Sequence, residues 1–414
     1  MTKSVVRLFA ALFALALFAT SCGSTASDVV DGATDAVDDA ASEVEDAVTG
    51  DEEEAMEEDP MDDEETMDEE ETMEEEPAAA DDSDEVEVVQ SGGSVLDAVQ
   101  SRGELNCGVS GAAVAFSVPD PSGRMIGFDA DLCRAVAAAI LGDAEAVNLV
   151  ALTAAERFTA VQTGDVDVLM RNTTWTQSRD TDIGMDFGPT TYYDGQQLMG
   201  RAGDGFSGDS TVADIDGAIV CTNAGTTTEK NISDAADAAG VSVTLNTFED
   251  FDQVTDNFIS GACDIITTDG SGLVGRKAQQ QPADQDWAIF PGQPISKEPL
   301  GPTYGQNDSA FADVVNWTVY AMIIADEKGI TSSNAGSIVG NDDFDAEAQR
   351  LMGGEGELQS LMGLDANAFM NVIEQVGNYD ELFAEHLEPV GIKRAGSANA
   401  GWQDGGLIYA PPAR

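Results

Sequence analysis

Residues 171 to 180 read Arg-Asn-Thr-Thr-Trp-Thr-Gln-Ser-Arg-Asp, and later in the chain Gly225-Thr226-Thr227-Thr228-Glu229 opens a helical stretch. Further on, Cys263-Asp264-Ile265-Ile266-Thr267-Thr268-Asp269 reads as a strand ending in an acid. A guanidinium fork matches a carboxylate in bidentate fashion. A helix N-terminus offers free amide donors to an anion, and an acid receives an ammonium. A zwitterion carrying one carboxylate and one ammonium satisfies all three, so the segments read as two halves of one clamp.

These residues must be held by a scaffold, and its pattern is legible from Ser94 onward. Glu104 to Ser110 reads as a first strand, and Phe128 to Leu141 is apolar at helical spacing. A second strand runs from Ala146 to Leu152, and Thr153-Ala-Ala-Glu156 forms a capping box opening a helix to Thr163. Asp165 to Met170 is a third strand leading directly into Arg171-Asn172-Thr173-Thr174-Trp175. The pattern repeats with strands at Gly217 to Thr222, Val241 to Leu245 and Asp264 to Thr267, and a helix from Phe248 to Ser260. Strands alternating with helices indicate parallel α/β architecture. Ligands of such sheets bind beyond the carboxyl ends of strands, where both motif-bearing loops lie.

Thr190 to Met199 and Ile295 to Tyr304 are extended segments marked by Pro and Gly, and read as two crossings of a hinge. The chain then returns to the first lobe through the helical run Ser309 to Lys328. Ala368 to Val376 and Tyr379 to Leu387 are amphipathic and read as lobe-packing helices. The expected organisation is a signal over residues 1–21, an acidic tether over 22–93, a first lobe from 94–193 plus 300–414, and a second lobe from 194–299.

Lys3 and Arg7 precede an apolar run from Leu8 to Ala19, too short to cross a hydrocarbon core of about 30 Å and suited to a secretory signal. Small residues before Cys22, followed by Gly23-Ser24, resemble the lipobox of bacterial lipoproteins, in which that cysteine is lipidated. The alternative is an ordinary cleaved signal. The expectation is an exported protein anchored by lipid to the outer face of the cytoplasmic membrane, or free in the periplasm. From Asp28 to Glu87, 31 of 60 residues are Asp or Glu and none is Lys or Arg, so that segment is expected to be a self-repelling, disordered spacer. Residues 88 to 414 are acidic too, 16 Lys or Arg facing 47 acids. Such a surface argues against nucleic acid.

Apart from Cys22 the chain has four cysteines: Cys107, Cys133, Cys221 and Cys263. An even number in an exported chain suggests two disulfides. Of the three pairings, Cys107 with Cys133 and Cys221 with Cys263 is favoured, because each pair falls within one half of the repeated pattern.

Residues 94 to 414 resemble the extracytoplasmic polar amino-acid-binding proteins of ABC importers, with a particular similarity to the general L-amino-acid-binding branch. The resemblance rests on Gly127 to Val136, Glu156-Arg-Phe-Thr159, Arg171 to Asp180, Gly225 to Glu229, Thr267-Thr-Asp-Gly-Ser271, Ile295 to Gly301, Gln375 to Tyr379 and Gly405 to Pro411. It implies a type II periplasmic-binding-protein-like α/β fold, two lobes joined by a two-segment hinge. It also implies a monomeric, non-enzymatic receptor without cofactor or metal that delivers an L-amino acid to an ABC permease.

Position by position, the resemblance makes Arg179 the grip on the ligand α-carboxylate and Asp269 the acceptor of its α-ammonium. Asn172 and Thr174 match positions that hydrogen-bond the ligand backbone. Thr226 and Thr227 would hold the carboxylate from the second lobe. Arg171, leaving its strand eight residues before Arg179, is a candidate for the ligand side chain or for a structural ion pair. Trp175 is expected to pack in the core. Gly111-Ala-Ala-Val-Ala115 lacks the aromatic platform that relatives for basic or aromatic amino acids carry before the position of Phe116. Its absence fits broad or acidic-amide selectivity, in the order Glu, Gln, Asp, Asn, then other neutral amino acids.

Two other functions are weighed. A same-fold dehydratase needs catalytic groups, yet His386 is the only histidine, it lies in a C-terminal helical stretch, and no sequence cluster has metal-ligand spacing. A sensor module would pass a ligand signal across the membrane.

Overall fold

The computed structural model describes residues 94–414. The expected signal, Cys22 and the acidic tether lie outside the described residues.

Two five-stranded sheets organise the chain. Helix α1 (Val95–Arg102) precedes β1 (Leu105–Val109), followed by α2 (Phe128–Leu141), β2 (Val147–Ala151), α3 (Arg157–Thr163), β3 (Val168–Leu169), α4 (Gln177–Thr181) and β4 (Met185–Phe187). The hinge strand β5 (Tyr192–Asp194) leads to β6 (Gln196–Arg201). The second lobe then runs β7 (Ile219–Asn223), α5 (Thr227–Ala239), β8 (Thr244–Phe248), α6 (Phe251–Ser260), β9 (Ile265–Asp269), α7 (Gly270–Gln280) and β10 (Trp287–Phe290). The chain returns through β11 (Glu298–Leu300) and β12 (Thr303–Gly305) into the long helix α8 (Ser309–Glu327). The helices α9 (Ala346–Leu351), α10 (Leu358–Leu361), α11 (Ala368–Gln375) and α12 (Tyr379–His386) follow.

The first sheet has the order β2-β1-β3-β12-β4 and the second β8-β7-β9-β6-β10. In each, the three strands of the repeated pattern are parallel and the strands entering from the hinge are antiparallel. The hinge is an antiparallel pair, β5 on β11, with Tyr193 opposite Pro299. The lobes therefore swing on two adjacent strands that share backbone hydrogen bonds.

Some boundaries differ from the sequence reading. The strand expected from Val241 starts at Thr244, because Gly240 is a left-handed cap and the Val241 amide bonds back to Ala236 O at 3.0 Å. Likewise α6 begins at Phe251 rather than Phe248, because Asp250 accepts the Gln253 amide at 2.8 Å and caps the helix there. The third strand shortens to Val168–Leu169.

Both disulfides have the favoured pairing. Cys107 of β1 joins Cys133 of α2, and Cys221 of β7 joins Cys263 before β9, each across a Cα separation of 6.0 Å. Each pins a helix or its exit to the middle one of the three parallel strands in its sheet.

The first-lobe core is aromatic where it meets the hinge. Phe116, Phe128, Tyr192, Tyr379 and Phe383 pack with ring centroids 5.4 to 6.5 Å apart, mostly edge to face. The Tyr379 hydroxyl donates to Thr191 O at 2.8 Å, and the Asn399 amide group exchanges two hydrogen bonds with Tyr193 backbone at 2.7 and 3.0 Å. Helix α12 and the C-terminal segment around Asn399 thus fix one end of the hinge. Gly127 is required here: its φ is +128°, and a Cβ would sit 2.3 Å from Phe116 O.

Candidate functional site

The loop after β3 is shaped by Asn172, whose φ of 41° turns the chain and whose amide donates to Asp129 Oδ2 at 3.1 Å. The turn buries Thr173, whose hydroxyl donates to Arg171 O, and lays Thr174 against Leu300 of the hinge. Thr176 then caps α4, placing Arg179 so that its Nη1 donates to Thr174 O at 2.7 Å. Trp175 departs from expectation. It is 46 % exposed, held by its amide on Pro299 O and stacked on Phe187 at 6.0 Å rather than packed in the core.

The second lobe presents the start of α5. Gly225, at φ 70°, donates its amide to Glu229 Oε2 at 2.7 Å, and Thr226 accepts the Glu229 amide at 3.1 Å. This reciprocal cap leaves the Thr227 and Thr228 amides without an intrahelical acceptor. Asp269 occupies the N-cap position of α7, yet its side chain makes no capping hydrogen bond.

One cavity between the lobes is lined by all seven sequence-predicted ligand residues: Arg171, Asn172, Thr174, Arg179, Thr226, Thr227 and Asp269. The lobes meet around it. Arg276 of α7 donates to Ala112 O across the cleft, and a Cβ on Gly275 would lie 2.9 Å from Val114 Cβ.

The geometry adds three residues that sequence reasoning missed. Arg157 is 2 % exposed and lines the cavity. Its guanidinium lies 4.7 Å over the Phe158 ring, and its Nε has no hydrogen-bond partner. Burial, then the neighbouring Arg171 and Arg179, hold its pKa well below the usual arginine range. Glu298 of β11, 2 % exposed, accepts from Thr174 Oγ1 at 2.6 Å, Thr227 Oγ1 at 2.9 Å, Asn231 Nδ2 at 2.8 Å and Ser296 Oγ at 2.6 Å. Asp194 of β5 accepts from the Gly195 amide at 2.8 Å and from the Ser271 hydroxyl. The only signals for these were positional. Arg157 sits beside the capping-box Glu156, and Asp194 and Glu298 sit in the two hinge segments.

The cavity carries opposed charges that burial penalises. Burial lowers the pKa of Arg179 and that of Arg171, the latter to about 10. Burial, together with Asp194 and Glu298, pushes the Asp269 carboxyl well above the carboxylate range. Asp194 is raised to about 6, again chiefly by burial. A carboxylate brought to the guanidinium wall and an ammonium brought to the acids would each relieve that penalty. Thr174 and Thr227 spend their single hydroxyl protons on Glu298, so each turns to a ligand as an acceptor, suited to ammonium N–H. Arg171 is partly committed, its Nε donating to Leu152 O at 2.8 Å, with the buried carboxyl of Asp129, raised to about 7 by that burial, nearby.

His386 stands outside this cavity. Its Nε2 lies 2.6 Å from Asp131 Oδ2, tying α12 to α2. Asp131, Glu385 and His386 come within 4.8 Å of one another, a grouping that the sequence could not show because two helices supply it. Asp131 is also engaged by Arg134 at 2.6 Å, which makes the group an ion-pair network.

Residues 105–327 match the bacterial extracellular solute-binding proteins, family 3. The chain is 42 % identical over 322 residues to the glutamate/glutamine/aspartate/asparagine-binding protein BztA of Rhodobacter capsulatus, covering 78 % of this chain and 94 % of that one. It is 40 % identical over 324 residues to the general L-amino acid-binding periplasmic protein AapJ of Rhizobium johnstonii, covering 78 % and 93 %. Among solved structures, an ABC transporter/periplasmic binding protein from Brucella ovis with glutathione bound has 41 % identity and a TM-score of 0.73, covering 78 % of this chain and all of that one. The fold expected from the sequence is the fold found, two α/β lobes on a two-segment hinge. The chain belongs to the bacterial extracellular solute-binding proteins, family 3, and is an exported amino-acid receptor of the ABC-importer type.

Proposed function

We propose that this receptor closes its two lobes on an L-amino acid with an acidic or amide side chain and presents it, as a monomer and without chemical change, to an ABC permease. The observation that carries the reading is that buried groups of opposite sign line one cavity, the guanidinium groups of Arg157 and Arg179 together with the carboxyl of Asp269. An isolated buried charge is costly, so each favours a ligand group of opposite sign.

In this reading Arg179 and the amides of Thr227 and Thr228 hold the α-carboxylate, and Asp269, with the hydroxyl oxygens of Thr174 and Thr227, holds the α-ammonium. Asn172, whose buried Oδ1 has no partner, accepts from the ligand. Thr226 shapes the helix cap. Arg157, assisted by Arg171, meets the side-chain end, which favours Glu and Asp over the amides. The names of the Rhodobacter capsulatus and Rhizobium johnstonii relatives agree with this ligand class.

Calorimetric titration of the purified chain against the twenty amino acids and glutathione tests the proposal. Binding confined to acids and amides, with a tail of other neutral amino acids, supports it. A preference for lysine or arginine would contradict it. Lipid anchoring through Cys22 is proposed from the small residues and Gly23-Ser24 that flank it. It is tested by Cys22→Ser, which should release the protein from the membrane fraction.

A further inference from the structure

Beyond Arg171 the cleft continues into a second cavity. Lobe 1 contributes Leu152, Glu156 and Arg171 to it, and lobe 2 contributes Glu249, Asp250 and Phe251. Arg171 and Phe251 line both cavities, so the two are contiguous. The second lies at the carboxyl ends of β2 and β8. These are edge strands, on the side of each sheet away from the hinge-connected strands β12 and β6.

The available chemistry there repeats that of the first cavity. Arg171 uses only Nε, on Leu152 O at 2.8 Å, which leaves both Nη groups for a ligand. Asp250 is occupied as the cap of α6, accepting from the Gln253 amide at 2.8 Å and its side chain at 2.7 Å. Glu156 is occupied by the Thr153 amide and hydroxyl at 3.1 and 2.8 Å. Glu249 is exposed and, among the described residues, has neither a hydrogen-bonding nor an ion-pairing partner. A guanidinium from lobe 1 and a free carboxylate from lobe 2 thus line this cavity together, as those of Arg179 and Asp269 line the first. A distal anion alone would meet the acids of this rim, and a distal cation alone would meet Arg171. A second zwitterion satisfies both.

We propose that the paired cavities accept amino acids with two α-amino-acid ends. One end lies on Arg179 and Asp269, and the other lies with its carboxylate on Arg171 and its ammonium on Glu249. This rests on the proposed reading of the first cavity and extends the ligand class beyond single-headed amino acids.

The test is calorimetric titration of the purified chain and of Glu249→Gln with L-glutamate, meso-2,6-diaminopimelate and γ-glutamylglycine, whose distal end is a carboxylate alone. Glu249 is exposed, so the substitution leaves the core intact. The wild type should bind diaminopimelate and prefer it to γ-glutamylglycine. Glu249→Gln should weaken diaminopimelate about tenfold, the loss of one charge-assisted contact, and leave glutamate unchanged. Glutamate binding with diaminopimelate refused overturns this inference alone, as does an equal effect of Glu249→Gln on both ligands, or none on either. Failure of glutamate itself to bind overturns the first-cavity reading, and this inference with it.

Discussion

Thr174 and Thr227 come from opposite lobes and donate to the same carboxylate oxygen, Glu298 Oε2, at 2.6 and 2.9 Å. The hinge strand therefore carries a buried acid that both lobes reach when they meet. Glu298→Gln keeps the shape but cannot accept all four of the hydrogen bonds that end on the carboxylate. Ligand affinity should fall by about tenfold to a hundredfold, the equivalent of about 1.5–3 kcal/mol for charged hydrogen bonds. Calorimetry reads this directly, and an unchanged affinity would remove Glu298 from lobe closure.

Arg179→Ala should abolish useful binding of every amino-acid ligand. It leaves a desolvated carboxylate unpaired, at a cost of about 3–5 kcal/mol, or roughly two to four decades in affinity. Titration like that of the wild type would exclude Arg179 as the carboxylate grip.

Arg157→Met separates stability from binding. Without ligand the wild-type guanidinium is buried with an unpartnered Nε, and an apolar side chain of similar length removes that penalty. The unliganded variant should melt a few degrees higher, at roughly 2–4 °C per kcal/mol. Its affinity for glutamate should nonetheless fall more than its affinity for glutamine. A lower melting temperature with unaltered selectivity would make Arg157 a structural residue.

Much of the candidate site was legible because its residues follow strand ends and helix starts, which local patterns mark. Thr226 and Glu229 are a cap signature, and Asp269 closes an apolar strand. What the sequence hid depends on tertiary burial. Arg157 begins a helix whose pattern makes a charged residue look solvent-facing, and tertiary packing instead buries it, over the Phe158 ring and in the wall of the cavity. Asp194 and Glu298 lie on hinge strands too short for a period to show which side faces the cleft. Trp175 departs in the other direction, since it is expected in the core while its amide bonds the hinge at Pro299 O and its ring is exposed.

Acidity should act oppositely on the empty and the loaded receptor. Burial pushes the carboxyl of Asp194 up to about 6 and that of Asp129 up to about 7, from the ordinary value near 3.8. A carboxyl raised on folding contributes stability that is present below its unfolded pKa and lost as pH rises through its folded one. The unliganded protein should therefore lose stability between about pH 4 and 7. Ligand affinity should grow as pH rises, because the ammonium needs an ionised Asp269, whose carboxyl burial holds above the ordinary range. Thermal melts from pH 5 to 7.5 check the first effect, and Asp194→Asn should flatten part of it. A slope untouched by that substitution would assign the pH dependence to other groups.

The central claim is that one cavity reads a carboxylate and an ammonium together, Arg179 taking the first and Asp269 the second. The most direct test is calorimetric titration of the purified chain with L-glutamate, 2-oxoglutarate and 4-aminobutyrate. The second ligand lacks the α-ammonium and the third lacks the α-carboxylate. L-Glutamate should bind and both analogues should lose two decades or more of affinity, about 3 kcal/mol each. Binding of 2-oxoglutarate as tight as that of L-glutamate would contradict the claim.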